Sequence, residues 1–287
     1  VEGVKMIGNT VEKTVEKVMD HTYKAASDYI GEDGLLYCGM CKTRKERRIT
    51  WLGTERKVPV MCKCREEEYE AQQEEDRKKQ EAYDIQRARV RSMLSDNFKT
   101  ATFENYNVRK ESERYLRIAQ NYCTNFRKML ENNQGLLLYG TVGTGKSYTA
   151  ACIANYLLDH GYSVIMTSFV RILQQMQGFD KETEDAFICR LNSVSLLIID
   201  DLGAERSTDY ALEKVYGVID NRYLAKKPLI LTTNLDLGQM QAVSDLRYER
   251  IYDRVFEMCY PVEFTGISWR KREAAQRFES TRKLLEE

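Results

Sequence analysis

Gly140-Thr141-Val142-Gly143-Thr144-Gly145-Lys146-Ser147 fits the pattern G-x-x-x-x-G-K-[ST] at every specified position. Before it, Leu136-Leu137-Leu138-Tyr139 is a short apolar run bounded by glycines, which predicts a buried strand. After it, Ala150, Ala151, Ile153, Ala154, Leu157 and Leu158 recur at helical spacing. Strand, glycine loop and helix is the arrangement that phosphate binding needs. Glycines let backbone N–H groups close around an anion, and the helix N-terminus adds partial positive charge. On this reading Gly140 to Tyr148 form the phosphate cradle. Lys146 reaches the β/γ-phosphates, and the Ser147 hydroxyl ligates Mg²⁺.

Further apolar runs follow at regular intervals. Residues 163–167, 196–199 and 229–233 read as strands, and 111–131, 169–177, 184–193 and 209–224 as helices. Strands alternating with helices predict an α/β fold, a parallel sheet with helices on both faces.

Two of these strands end in polar residues. Leu196 to Ile199 runs into Asp200-Asp201-Leu202-Gly203. An apolar strand that delivers a carboxylate to the phosphate edge places Asp200 to hold Mg²⁺ through water. Asp201 then orients or deprotonates the attacking water. Two loop aspartates without chemistry is the competing reading, and a phosphate loop on the same sheet edge weighs against it. The next strand ends in Thr232-Thr233-Asn234, where a polar side chain reaches the γ-phosphate or the water. The same triplet is also a good strand-ending turn.

Composition bounds the rest. The 287 residues are 43% hydrophobic and 31% charged, with a formal net charge of zero. That suits a soluble protein with no global basic field, and leaves room for a local basic channel. No apolar run approaches a membrane span. Lys5, Lys13 and Lys17 mix with Glu2, Glu12 and Glu16 and no apolar core follows, so a secretion signal is not expected and the location read is cytoplasmic.

Four of the eight cysteines cluster, as Cys38-Gly39-Met40-Cys41 and Cys62-Lys63-Cys64. Two thiolate pairs so spaced close on one tetrahedral Zn²⁺. A redox pair and an unliganded set are the other readings. The segment between the pairs carries Arg44, Lys45, Arg47, Arg48, Trp51, Arg56 and Lys57, either a nucleic-acid contact or a solvated hairpin. Cys123, Cys152, Cys189 and Cys259 lie singly and are expected as small buried hydrophobes. Residues 1–30 read as a helix with Val4, Ile7, Val11, Val15 and Val18 near one face, packing on its own domain or on a partner. Residues 65–94 are charged and free of proline and glycine, which predicts an exposed connecting helix. The expected domains are 1–64, a helical and zinc-binding piece; 65–96, a linker; and 97–287, a nucleotide-binding domain.

The ordered motifs now carry a resemblance. Gly140 to Ser147, LLIIDDLG at 196–203, LTTN at 231–234, RIYDR at 250–254 and GISWR at 266–270 resemble those of AAA+ P-loop ATPases. Within that group they resemble the DnaC/DnaI-like replicative helicase loaders and the related IstB transposition ATPases, over residues 97–275. A cysteine module ahead of the ATPase resembles the DnaI-like loaders. The resemblance implies that Asn234 is the sensor-1 residue and Arg270 the sensor-2 arginine. It makes Arg254 an arginine finger acting on a neighbouring copy, with Arg250 the second choice. Arg254 also stands beside Asp253, Glu249 and Glu257, so an ordinary surface ion pair is the other reading. Asp201 stands where the family usually has glutamate. The stretch after Arg270 is expected to hold one terminal helix rather than a full helical lid.

The resemblance implies an ATP-, Mg²⁺- and Zn²⁺-binding ATPase that loads a replicative hexameric helicase onto single-stranded DNA. The zinc module would grip the helicase, and a homo-oligomer would complete the site. Two rivals stand: an IstB-like transposition ATPase, and a zinc-containing DNA-binding adaptor that uses ATP as a structural ligand. No Asn-Lys-x-Asp guanine-reading motif is present, which disfavours a GTPase. The Asn234, Arg254 and Arg270 series disfavours a metabolic kinase.

Overall fold

The computed structural model describes residues 25–51, 53–107, 110–203 and 208–286. Most of the helix expected over 1–30 lies outside them, but its end is not helical. β1 (Tyr29–Ile30) pairs antiparallel with β2 (Leu36–Tyr37), closing over Gly31 and Gly34. β3 (Glu46–Trp51) pairs antiparallel with β4 (Thr54–Pro59), so the basic segment between the cysteine pairs is a hairpin. Its Arg47, Arg48, Arg56 and Lys57 are exposed. α1 (Lys63–Arg91) follows, with no buried residue. Near its middle it is held by same-face ion pairs, Arg77 to Glu74 at 2.7 Å and to Glu81 at 3.0 Å.

The chain divides into compact units at Glu81/Ala82, within the expected linker. In the second unit the last turns of α1 pack as a domain element. Ala88 lies against the core, Arg89 donates to Asn155 at 3.0 Å and pairs with Asp159, and Met166 N–H donates to the Ser92 carbonyl.

The second unit continues with α2 (Lys110–Thr124), α3 (Phe126–Glu131), β5 (Gly135–Gly140), α4 (Lys146–Asp159), β6 (Val164–Ser168), α5 (Phe169–Met176) and α6 (Lys181–Ser193). Then come β7 (Leu196–Leu202), α7 (Asp209–Leu224), β8 (Leu229–Thr233), α8 (Leu237–Gln241), α9 (Leu246–Met258), β9 (Cys259–Phe264) and α10 (Trp269–Glu286). The strands form one parallel sheet in the order β6-β7-β8-β5-β9.

Each apolar run feeds both faces by the two-residue period of a strand. Leu136, Leu138, Leu196 and Ile198 pack with α2 and α4, while Leu137, Leu197 and Ile199 pack with α5, α7 and α9. Cys123, Cys152 and Cys259 are buried in these layers; Cys189 on α6 is exposed, contrary to expectation.

Two local readings are corrected. The helix expected over 111–131 breaks at Asn125. There the Thr124 hydroxyl and the Asn125 amide donate to the carbonyls of Gln120 and Asn121, competing with the helical ladder. The fifth strand, β9, was not expected, because Pro261 and Glu263 break up its apolar content.

Arg222 of α7 closes the amino-terminal end of the sheet. It is fully buried and donates to the carbonyls of Asn192, Val194, Ser195 and Pro228 at 2.7–3.3 Å. Lys227 donates to Asn192 and Ser193. These carbonyls, apart from Pro228, are at or just past the end of α6, where the helix leaves acceptors without partners. Burial brings the Arg222 guanidinium down to about 9. Arg222→Met should strand several carbonyls at once and cost about 3 kcal/mol or more. A thermal melt should show the loss as a clear fall in Tm; an unchanged Tm would mean the cap is dispensable.

Candidate functional site

The carboxyl ends of β5, β7 and β8 meet the amino terminus of α4 around a cavity of about 470 Å³. Two glycines of the loop are there for space, and Gly145, with φ 102° and nothing within 4 Å of where a Cβ would stand, is there for its backbone conformation. Gly140 has φ 119°, and a Cβ on it would lie 2.3 Å from the Phe264 carbonyl oxygen of β9. A Cβ on Gly143 would lie 2.1 Å from Ser268 Oγ. The loop is therefore clasped by the segment leading to α10, and Trp269 N–H donates to the Gly143 carbonyl at 2.8 Å.

Lys146 is buried at the start of α4. Its ammonium donates to the Gly140 and Thr141 carbonyls, both at 2.8 Å, and to Asn234 Oδ1 at 2.9 Å. Burial lowers its pKa, opposed by the charges of Asp201 and Asp200. Val142 to Tyr148, Asp201, Asn234 and Arg270 all line the cavity.

Asp200 and Asp201 occupy an irregularity in the pairing of β7 with β8, between Ile199 and Leu202. Asp201 has φ 57°, left-handed and unfavourable for a residue with a Cβ. Such a break re-aims side chains at a strand end. The buried Thr232 hydroxyl holds it: it donates to Asp200 Oδ1 at 2.6 Å and accepts from the Asp201 N–H at 2.9 Å. Burial and the adjacent Asp200 charge raise Asp201 above the usual carboxylate range.

Arg254 is not in the cavity wall. It pairs with Asp220 at 2.5 Å, donates to the Tyr216 hydroxyl at 3.0 Å and lies by the rings of Tyr216 and Tyr223. Arg250, one turn earlier on α9, is exposed. Glu205 lies outside the described residues.

Sequence reasoning missed the opposite wall. Phe98, Asn105, Tyr106 and Asn107 line the cavity from an irregular segment ahead of α2. Asn155 of α4 anchors that segment through the Phe98 and Ala101 carbonyls, both at 2.8 Å. The Tyr106 hydroxyl meets Thr149 Oγ1 at 2.7 Å. No periodicity marks these residues. In the sequence Thr232 shows only as part of a strand-ending triplet.

Residues 74–277 match the family described as IstB-like ATP binding protein. The chain belongs to that family. The IstB-like chain is 30% identical over 179 residues to a replicative helicase loader DnaC of Buchnera aphidicola subsp. Schizaphis graminum, covering 61% of this chain and 70% of that protein. It is 29% identical over 181 residues to the DnaC loader of Escherichia coli K12, covering 61% and 70%. Two crystal structures share the fold. DnaI has a TM-score of 0.52 at 22% identity, covering 60% of this chain and 95% of that one. The DnaC helicase loader has a TM-score of 0.52 at 23% identity, covering 60% and 100%. Among the described residues no helix is long and apolar enough to cross a membrane.

Ahead of the matched region, Cys38, Cys41, Cys62 and Cys64 converge with all four sulfurs within 4.8 Å of one another. Cys64 Sγ is 3.5 Å from Cys38 Sγ and 3.4 Å from Cys62 Sγ. Four thiolates at about 2.3 Å from a zinc ion stand roughly 3.8 Å apart, so the set fits a closed tetrahedral site. Gly39 lets the first pair turn: a Cβ there would lie 2.0 Å from the Ser27 carbonyl oxygen. Asp28, held below the usual carboxylate range chiefly by Lys45 at 2.6 Å, accepts the Gly39 N–H.

Two outcomes are expected. Thr232→Val keeps the side-chain shape and removes the hydroxyl. It should lower ATP turnover about 10–100-fold, the usual effect of losing a group that orients a metal-binding carboxylate, with nucleotide affinity little changed. Equal turnover would make the hydroxyl a fold element only. Metal analysis of protein prepared without added metal should give one zinc per chain, lost in Cys62→Ser; a metal-free, folded amino-terminal unit would refute the site.

Proposed function

We propose that this chain hydrolyses ATP with Mg²⁺ and uses the cycle to load a replicative hexameric helicase onto single-stranded DNA during replication initiation, in the cytoplasm. The observation that carries the reading is the joining of Lys146 to Asn234 beside Asp201 and Arg270, in a chain similar to proteins named replicative helicase loaders. Ser147 and Asp200 would hold Mg²⁺, which supplies charge stabilisation at the phosphates. Lys146 turns from the loop carbonyls to the β/γ-phosphates. Asp201 orients the water, whose oxygen bonds to the γ-phosphorus as the bond to the β-phosphate oxygen breaks. Asn234 and Arg270 read the γ-phosphate. The zinc-holding amino-terminal unit contacts the helicase.

The site is completed by an arginine on α9 of a second copy. Motif order assigns it to Arg254; Arg250 is the other guanidinium one turn away. Such an arginine is worth about 10³–10⁵ in rate. Arg254→Ala should bind ATP and lose turnover, and Lys146→Ala should lose turnover as well. Mixing the two should restore activity, because the Lys146 variant still offers its Arg254 to an intact phosphate loop. Wild-type-like turnover of Arg254→Ala, without rescue, moves the role to Arg250.

The family description favours a second reading, an IstB-type transposition ATPase. Affinity capture with Lys146→Ala as bait decides between them: a replicative helicase supports the loader, a transposase the alternative. ATP binding without turnover, with or without single-stranded DNA, would leave the adaptor reading.

A further inference from the structure

A second cavity, of about 670 Å³, lies in the same unit at the start of β6, at the opposite end of the sheet from the phosphate loop. Arg87 and Arg91 of α1 and Arg190 of α6 line it, all three exposed. Arg87 and Arg91 are four residues apart and share a helix face. Arg190 Nη2 donates to the Arg91 carbonyl at 3.5 Å, which seats the two helix ends together. Arg89, between them in sequence, is committed to Asn155 and Asp159. No carboxylate pairs with Arg87, Arg91 or Arg190 among the described residues. Asp84 is the one acidic side chain in the described wall.

A helix carboxyl end such as that of α6 ordinarily repels an anion, since its last carbonyls carry partial negative charge. Here those carbonyls are taken by Arg222 and Lys227. Ser193 and Val194, whose carbonyls they bind, are themselves part of the wall. The Arg222 charge sits behind that wall, fully buried and bonded, among the described residues, to carbonyls. Its field is less screened than that of a surface arginine. In a chain of zero formal net charge, this is a local positive basin.

We propose that this cavity grips the sugar-phosphate backbone of single-stranded DNA. Guanidinium forks match phosphate oxygens two at a time. The described lining holds no aromatic side chain on which a base would stack, so the contact is to the backbone and independent of sequence. The proposal rests on the reading of the chain as an ATPase that acts on single-stranded DNA.

The test is fluorescence anisotropy of labelled oligothymidylate with the full chain and ATP. It compares wild type with the triple variant Arg87→Gln, Arg91→Gln, Arg190→Gln across a salt series. Three lost phosphate contacts should weaken binding at least about tenfold and flatten the log–log salt slope by about 2, at roughly 0.7 per contact on single strands. ATP binding without DNA should be unchanged, which also reports the fold. The matching triple Arg→Lys variant should keep most of the slope. A triple Gln variant with wild-type affinity and slope overturns the cavity and leaves the loader reading standing. Loss of binding to a polyglutamate probe, but not to oligothymidylate, assigns the cavity to an acidic protein segment and also overturns the proposal. A wild type that binds no oligothymidylate overturns it too, while helicase capture still judges the loader reading separately.

Discussion

The Thr232 hydroxyl ties the ends of β7 and β8 together, and the geometry of the carboxyl-terminal edge follows from that tie. By donating to Asp200 and accepting from the Asp201 backbone it fixes a left-handed residue at a strand end. The strain is offset because one buried hydroxyl serves both as donor and as acceptor, so neither its O–H nor the Asp201 N–H is left unpaired away from water. Two residues on, Asn234 reaches Lys146, so the end of β8 is linked at once to the Asp200 carboxylate and to the phosphate loop.

The two ends of the parallel sheet have opposite electrostatic problems. At the carboxyl end, α4 points its amino terminus into the nucleotide cavity, and the loop needs glycines that allow close approach or a positive φ. At the amino end, α6 finishes with unpaired carbonyls, and the protein spends a fully buried arginine on them. That arginine keeps five hydrogen bonds and, among the described residues, no acidic partner. A buried charge is costly unless its donors are satisfied. Here the satisfaction comes from neutral carbonyls, those of Asn192, Val194, Ser195 and Pro228, which solvate the charge without neutralising it.

The amino-terminal unit solves a different problem. Its buried apolar residues, among those described, are Leu35, Leu36, Cys38 and Cys62, too few for a self-sufficient core. Two short antiparallel pairs and the half-buried ion pair of Asp28 with Lys45 add order without much apolar burial. Four thiols brought within 4.8 Å are the feature that a metal ion would turn into a cross-link.

The phosphate loop, the alternation of strand and helix, and the strand tracts that feed two core layers are legible in the amino-acid order. Each of these is local: a glycine pattern, a run of four or five apolar residues, a helical period. The spacing of the cysteines was legible for the same reason. Contacts between residues far apart along the chain come from the packing of the folded chain. Lys146 meets Asn234 across 88 residues, and the far wall of the cavity comes from residues 98–107, which no motif marks. β9 escaped notice because a strand with Pro261 and an exposed edge shows little apolar periodicity; parallel pairing with β5 makes it a strand. Arg254 shows the limit most sharply. Its neighbours in sequence are Asp253 and Glu257, yet its carboxylate partner is Asp220, on a different helix. Sequence neighbours on one helix compete for a side chain only within a turn, whereas packing between α7 and α9 chooses the partner that can be desolvated with it.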